Sequence, residues 1–262
     1  MTSNPVQRRS ADLALRFALP LALLMLWELA VDVGWLDSRL LPSPTAIGRN
    51  YWELVRSGEL LVHTLASLRR IAVGLSLATV LGVGLGVAMG ASPRCRQVLD
   101  SLVELLRPIP PIALIPLSIF WLGIGDESKI FLIFIACFFP ILLNTLNGVL
   151  GADPSLVNLH RTMGATPTQT LWKVLLPSAL PQIFTGFRIS VGISLIVLVA
   201  AEMVAAFDGL GYLILTAERT WQLETMFVGI ITISIIGLVL NQIFLTIGYR
   251  FLHWYYRGAG NR

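Results

Sequence analysis

Charged residues are scarce in this sequence. Asp, Glu, Lys and Arg together make up 13% of its 262 residues, whereas 55% are hydrophobic. An average soluble domain has roughly a quarter charged residues, so the composition excludes an ordinary soluble enzyme. It also excludes a disordered chain, because disordered chains lack the apolar surface that this sequence has in excess. The composition therefore indicates a protein that lies in a bilayer.

Residues that commonly build catalytic and metal sites are few as well. Cys95 and Cys137 are expected in different layers of a membrane protein, so we predict neither a disulfide nor a metal site from them. The three histidines, His63, His160 and His253, lack the i, i+4 spacing of metal ligands. The sequence has no histidine pair, no paired-carboxylate centre and no G-x-S-x-G elbow, so we predict no catalytic residue.

A nucleotide-binding loop is also missing from the sequence. Neither lysine follows a glycine, and no G-x4-G-K-S/T loop occurs that would cradle ATP phosphates. We therefore predict that the chain is not itself an enzyme and holds no cofactor. Any energy for its work would come from another subunit.

Long uncharged stretches dominate what the sequence does contain. Residues 71–91, 130–152 and 225–249 have no charged side chain, and each would cross about 30 Å of hydrocarbon as a helix. Residues 108–125 are also uncharged but contain four prolines, which predict a kinked or partly unwound helix. Two further spans are predicted at 13–34 and 182–206. The expected total is six transmembrane helices.

The basic residues predict how these spans are oriented. An even number of spans places both termini on one side, where ten basic residues fall, against seven on the other side. Because Lys and Arg favour cytoplasmic loops, we predict a multi-pass protein of the cell inner membrane with both termini cytoplasmic. The net charge of +4 is interpreted as anchoring at the lipid surface, with no nucleic-acid partner.

Glycines recur every four residues in the second predicted span. Gly82, Gly86 and Gly90 fall on one helix face, where small residues let two helix backbones approach closely. We predict that this face packs against another helix, and we favour packing over a ligand site.

A polar stretch between the fourth and fifth spans predicts two short helices. Asp153 followed by proline is typical of a helix start, and the first helix would run to Met163. Gly164 then supplies the permissive backbone of a sharp turn. Thr166 and Pro167 predict the start of a second helix, which Pro177 would end.

We call residues 153–177 the knob. Two short helices joined by a glycine suit docking into another protein. The alternative is an amphipathic hairpin that lies on the lipid surface, and spacing alone does not exclude it.

The knob resembles the cytoplasmic E-A-A-x3-G-x9-I-x-L-P loop of permeases in ATP-binding cassette (ABC) importers. Gly164 is followed by nine residues and then by 174–177, which read V-L-L-P, while 158–160 stand in the Glu-Ala-Ala positions as N-L-H. In that family the loop is the coupling helix, which seats in a groove of the ATPase subunit. The resemblance implies that these residues couple the chain to the ATPase: Asn158, His160, Arg161, Gly164, Ala165, Thr166 and Pro177.

Other strings extend the resemblance over most of the chain. They look like the nitrate, sulfonate, taurine and bicarbonate permeases, and they lie at 41–47, 105–130, 176–192, 199–203 and 209–214. The implied fold is an all-α membrane protein of the type I importer class (MetI-like), with about six transmembrane helices. Its type-1 transmembrane domain would cover 60–245, preceded by 1–59 and followed by a cytoplasmic end at 246–262.

The same resemblance implies a transport assembly. Two permease subunits, expected to be a homodimer, would combine with two ATPase subunits that bind ATP and magnesium, and with an extracytoplasmic substrate-binding protein. The substrate would be a small oxyanion, with sulfonate or taurine favoured and nitrate or bicarbonate next. The alternative is an ion-coupled secondary transporter without an ATPase, which predicts midplane ionisable residues and an inverted repeat. Neither feature is evident in the sequence.

Two charged residues lie beside the proline-rich third span. Glu104 and Arg107 stand one helical turn apart, just before Pro110 and Pro111. A cation beside unwound backbone could ease the passage of an anion, so all four are candidates for the translocation pathway. The alternative is a structural pair between Glu104 and Arg107 at helical spacing.

The fifth span contains two more charged residues. Glu202, near its outer end, could line the pathway, pair with a basic residue or form a gate contact, and the sequence does not identify its partner. Arg188, toward the inner end, is expected to reach lipid headgroups or to cap the knob.

Overall fold

The computed structural model describes residues 5–251, with side chains for 18–248 and 250. His253 and most of the terminal basic residues that enter the orientation prediction lie outside the described side chains. All regular structure between 5 and 251 is helical. The helices are α1 (Pro5–Asp32), α2 (Pro44–Ser57), α3 (Glu59–Ala91), α4 (Pro93–Leu106), α5 (Ile115–Leu122), α6 (Asp126–Leu150), α7 (Pro154–Thr162), α8 (Pro167–Thr170), α9 (Leu176–Ala205), α10 (Leu210–Arg219) and α11 (Leu223–Phe251). A 3₁₀ turn (Pro111–Leu114) precedes α5, and a π-helical turn (Leu171–Leu175) precedes α9.

The chain forms two compact units. Among the described residues, the smaller one comprises 5–61 together with Leu213–Ile231. Within it the Glu28 carboxylate on α1 accepts hydrogen bonds from the Thr45 amide (3.0 Å) and hydroxyl (2.5 Å) at the start of α2. A side-chain hydrogen bond from Asn50 to Thr225 (2.8 Å) ties α2 to the first turn of α11.

Among the described residues, the larger unit comprises Val62–Tyr212 and 232–251. Its most extensive packing is between α6 and α9. The central apolar cluster joins these two helices to α3, and its buried members are Ile71, Leu75, Ala78, Ile133, Cys137, Ile141, Val191 and Leu198.

The glycine face of α3 packs against α6, as predicted. A methyl group on Gly86 would lie 2.7 Å from the backbone oxygen of Leu142, and one on Gly90 would lie 2.6 Å from Val149. Any larger side chain would push the two helices apart. The small residues therefore set the close approach between α3 and α6.

Four helical runs in the described residues are long and apolar enough to cross a membrane: Glu59–Ala91, Asp126–Leu150, Pro167–Ala205 and Leu223–Gly248. Each run covers one predicted span. The second predicted span is covered completely, and the fourth, fifth and sixth each lack only one or two residues at their ends. The predicted first span falls on α1, whose side chains before residue 18 lie outside the described part. A total of six spans remains a prediction.

The third span is broken near its start. The sequence predicts a kinked or partly unwound helix over 108–125, and the chain is indeed not helical between α4 and the 3₁₀ turn, where the two flanking segments meet at 80°. Pro108, Pro110 and Pro111 cause the break because proline lacks an N–H group and its ring blocks the preceding helical turn. If the two bent segments form a single span, that span starts near Pro93.

Candidate functional site

The first half of the knob is held by local hydrogen bonds. The Asp153 carboxylate accepts the backbone N–H of Ser155 at 2.8 Å, and Pro154 occupies the first turn of α7. The chain reverses at Gly164, whose φ of 77° is left-handed. Both the helix start and the glycine turn are confirmed, because each depends on residues next to one another in sequence.

The second half begins with a reciprocal cap. The Thr166 hydroxyl accepts the Gln169 amide at 3.2 Å, and the Gln169 side chain accepts the Thr166 amide at 2.9 Å. This arrangement satisfies two of the free N–H groups at the start of α8. The predicted start at Thr166 and Pro167 is therefore confirmed.

The prediction that Pro177 ends this second helix is wrong. The chain stays helical from Pro167 to Ala205. A π-helical turn at Leu171–Leu175 lets the Leu176 amide bond to the Leu171 carbonyl, five residues back. This turn shifts the hydrogen-bond pattern just before Pro177, which lies in the first turn of α9, a position where proline is tolerated. The knob is thus continuous with the long helix α9.

The knob exposes an apolar face. Leu156, Leu159 and Met163 follow one another at helical spacing on α7 and its end, and their exposed fractions are 49%, 56% and 76%. Trp172, in the π-helical turn, is 64% exposed. Clustered exposed apolar residues mark contact surfaces for protein or lipid. Among the predicted coupling residues, Asn158, Arg161, Gly164 and Thr166 are exposed, whereas His160, Ala165 and Pro177 are partly buried.

The predicted pathway residues of the third span lie at the surface of the chain. Glu104 and Arg107 are both exposed, at the end of α4. Within the described side chains they form no ion pair with each other, so the alternative of a structural pair is not supported. Pro110 and Pro111 form the break itself, between α4 and the 3₁₀ turn.

Glu202 lies in a buried hydrogen-bond network at the end of α9. Its carboxylate accepts from Arg70 Nη1 at 2.7 Å, from Ser67 Oγ at 2.9 Å and from the Gly211 amide at 2.9 Å. The Glu202 side chain is 0% exposed and that of Arg70 is 3% exposed. Of the three roles that the sequence left open, the structure therefore supports a pair with a basic residue. A pathway role for Glu202 stays a prediction.

Arg70 reaches further carboxylates around it. Its Nε donates to Asp126 at 2.7 Å, and its Nη1 donates to the backbone oxygen of Asp208 at 2.9 Å. It also pairs with the Asp208 carboxylate, while Arg69 pairs with Asp126. We call Arg70, Glu202, Asp126 and Asp208 the charge cluster. It ties together α3, the start of α6, the end of α9 and the loop before α10.

Sequence reasoning did not find this cluster. Arg70 and Glu202 are separated by 132 residues, and the sequence gives no local signal that brings them together. The available clues were an arginine near the mouth of one span and a glutamate near the end of another. Charged residues inside spans usually pair, yet the sequence did not show which pair forms.

Known proteins are similar to this chain in sequence. The pattern of the family described as "Binding-protein-dependent transport system inner membrane component" matches residues 78–252. The taurine transport system permease protein of Escherichia coli is 37% identical over 84% of this chain and 82% of its own length. The bicarbonate transport system permease protein of Synechocystis sp. is 31% identical over 92% of this chain and 90% of its own.

A solved structure has the same fold. The MetNI methionine ABC transporter in an inward-facing conformation aligns with a TM-score of 0.60 at 24% identity, over 77% of this chain and 95% of that chain. At this identity the likeness concerns the arrangement of helices alone.

Proposed function

This chain belongs to the family of inner membrane components of binding-protein-dependent transport systems, and we propose that its knob couples the membrane helices to a separate ATPase. The chain is a permease subunit of an ABC importer. The family does not favour the alternative of a secondary transporter that works without an ATPase.

The apolar face of the knob is the observation that carries this proposal. Leu159 and Met163 are more than half exposed, although leucine and methionine are usually buried in a folded protein. A groove on an ATPase would bury them. Because the knob continues into α9 without a break, a displacement of the knob would move this membrane helix as well.

The family supports a proposal for the rest of the assembly. Two copies of this chain would form the pathway, and two ATPase subunits would bind ATP and magnesium, since the sequence has no phosphate-binding loop of its own. An extracytoplasmic binding protein would deliver the substrate. The knob and both termini would then face the cytoplasm.

The proposed substrate is a small oxyanion. One relative is named for taurine, which carries a sulfonate, and another for bicarbonate. We favour a sulfonate such as taurine, with nitrate or bicarbonate next. Uptake of labelled taurine, nitrate and bicarbonate into proteoliposomes that hold the complete complex and its binding protein would rank these substrates.

Cysteine crosslinking tests the coupling role. In a background without Cys95 and Cys137, a single cysteine at Leu159 or Met163 should crosslink to the ATPase subunit of the assembled transporter. A cysteine at Leu238, which is 70% exposed but lies in the middle of α11, is the matched control and should not crosslink.

Protection of the same cysteines by lipid would contradict the coupling role. If the cysteines at 159 and 163 are shielded from a water-soluble thiol reagent by bilayer alone, and form no crosslink with ATPase present, the knob is a lipid-surface hairpin. That result would contradict the proposed coupling role.

A further inference from the structure

A cavity of about 830 Å³ lies between α9 and α11 in the larger unit. Its walls are mostly apolar, and Phe184, Leu195, Leu238 and Phe244 are among the residues that line it. Pockets of this size hold small organic ligands. One charged side chain, Arg188, also lines the cavity.

Arg188 lies deep in its membrane helix. It is the only charged residue between Lys173 and Glu202, and it is separated from each by roughly 20 Å along a helix. A charge at such a position is costly and is retained mainly where it has a functional partner. In the structure Arg188 bonds to α11 through Asn241, and the expectation that it reaches the headgroups or caps the knob stays a prediction.

The polar partner of Arg188 in the structure is a neutral one. Its Nε donates to Asn241 Oδ1 on α11 at 3.0 Å. Among the described residues that line the cavity none is acidic, and no ion pair to Arg188 occurs in the described part of the chain. A guanidinium has five N–H donors, so its remaining donors can bind an anion. Asn241 fixes the plane of the guanidinium through Nε.

We propose that this cavity binds an oxyanion joined to an apolar chain. The oxyanion takes the Nη groups of Arg188 in a two-point contact, the geometry for which guanidinium is suited. The apolar walls of α9 and α11 contact the carbon chain. A transported alkyl sulfonate has this chemistry, in which case the inference rests on the proposed function, and so has the phosphodiester end of an anionic lipid.

Ligand binding by the complete transporter tests this site. The complex is placed in nanodiscs of pure phosphatidylcholine, and binding of labelled ethanesulfonate is measured at equilibrium. Arg188→Gln should weaken binding at least about tenfold, the loss expected for one charge-assisted contact. Arg188→Lys should keep part of the affinity, because it retains the charge but not the two-point geometry.

The control is Arg96→Gln. Arg96 is a half-exposed arginine that pairs with Asp100 on α4, away from the cavity, and its loss should leave ethanesulfonate binding unchanged. Asn241→Leu removes the partner of Nε and should weaken binding less than Arg188→Gln does. Size-exclusion profiles equal to that of the unmutated complex verify that each variant assembles.

A second arm identifies the source of the oxyanion. In nanodiscs that contain phosphatidylglycerol, native mass spectrometry counts the lipid molecules retained by each complex. If Arg188→Gln loses phosphatidylglycerol while ethanesulfonate binds to neither form, the ligand is a lipid headgroup. If ethanesulfonate binding alone falls, the ligand is the transported anion.

A missing oxyanion site and a missing coupling role give different experimental results. If Arg188→Gln changes neither ethanesulfonate binding nor lipid retention, the cavity is not an oxyanion site, even in a complex that still imports its substrate. If the unmutated complex instead imports no oxyanion and forms no knob crosslink, the proposed function is wrong whatever binds at Arg188.

Discussion

The two ends of α9 differ in which side chains they bury: one end buries charged side chains, and the other exposes apolar ones. At the end that carries Glu202, four ionisable side chains cluster and the central pair is almost fully buried. At the end that joins the knob, leucine, methionine and tryptophan side chains are more than half exposed. The first end satisfies its polar groups within the chain. The second leaves apolar surface that a partner would bury.

This difference suggests what each end contributes. Buried charges are expensive, and they are stable only when every donor and acceptor has a partner in one specific arrangement. The charge cluster therefore fixes the positions of α3, α6 and α9 relative to one another. The hydrogen bonds described for the knob are local ones, and its exposed apolar side chains are available to a partner.

The charge cluster gives the largest expected effect. Arg70→Met removes the cation and leaves Glu202 buried without its charged partner. Breaking a buried pair in this way costs about 3–5 kcal/mol. Thermal unfolding of the purified protein, followed by tryptophan fluorescence, should show a large decrease in stability. An unchanged melting temperature would mean that the cluster does not hold the three helices together.

Two further variants verify the cause of that loss. Arg69 is 64% exposed, so Arg69→Gln should cost no more than about 1 kcal/mol. In the Arg70→Met variant, a second change of Glu202→Met removes the unpaired carboxylate. Replacing a whole buried pair by apolar residues is often close to neutral, so the double variant should recover more than half of the lost stability.

Local and periodic features of the fold could be predicted from the sequence. The caps at Asp153 and Thr166 depend on residues two or three positions away, and the glycine face of α3 repeats every four residues. Such patterns predict a helix start or a packing face without any information on distant residues. The uncharged stretches predict most spans for the same reason.

Features that depend on distant residues could not be predicted. The contacts of Arg70 with Glu202 and of Arg188 with Asn241 join positions 132 and 53 residues apart, and no local pattern reports such a contact. The π-helical turn before Pro177 was missed because proline usually ends a helix. Here the extra residue in the π-helical turn shifts the hydrogen bonds, and the helix continues through Pro177.

Alanine substitutions at two glycines, one near each end of α9, test the same comparison. Gly209 and Gly164 both have a positive φ, 109° and 77°. A methyl group on Gly209 would strike the Glu202 carboxylate, whereas one on Gly164 would meet nothing within 4 Å. A shift of the Glu202 carboxylate would disturb its hydrogen bond with Arg70. We expect Gly209→Ala to cost at least about 2 kcal/mol and Gly164→Ala about 1 kcal/mol, the backbone strain alone.

Chemical denaturation of the two alanine variants measures this difference. Equal losses would show that backbone strain dominates at both glycines and that the Glu202 carboxylate has room to shift. A larger loss at Gly164 would place the more rigid region at the knob, which would reverse the comparison.

The smallest expected effect is at the knob's second cap. Thr166→Ala removes the hydroxyl that accepts the Gln169 amide, and loss of such a cap costs about 1 kcal/mol. Because α8 begins at an exposed position, the change should loosen the first turn of α8 without loosening the charge cluster. Amide hydrogen exchange should accelerate at residues 168–170 and stay unchanged around Glu202. Thr166→Ser, which keeps a hydroxyl, should exchange at the original rate. If Thr166→Ala also accelerates exchange near Glu202, the stabilities of the two ends of α9 are coupled. The knob would then not loosen independently of the charge cluster.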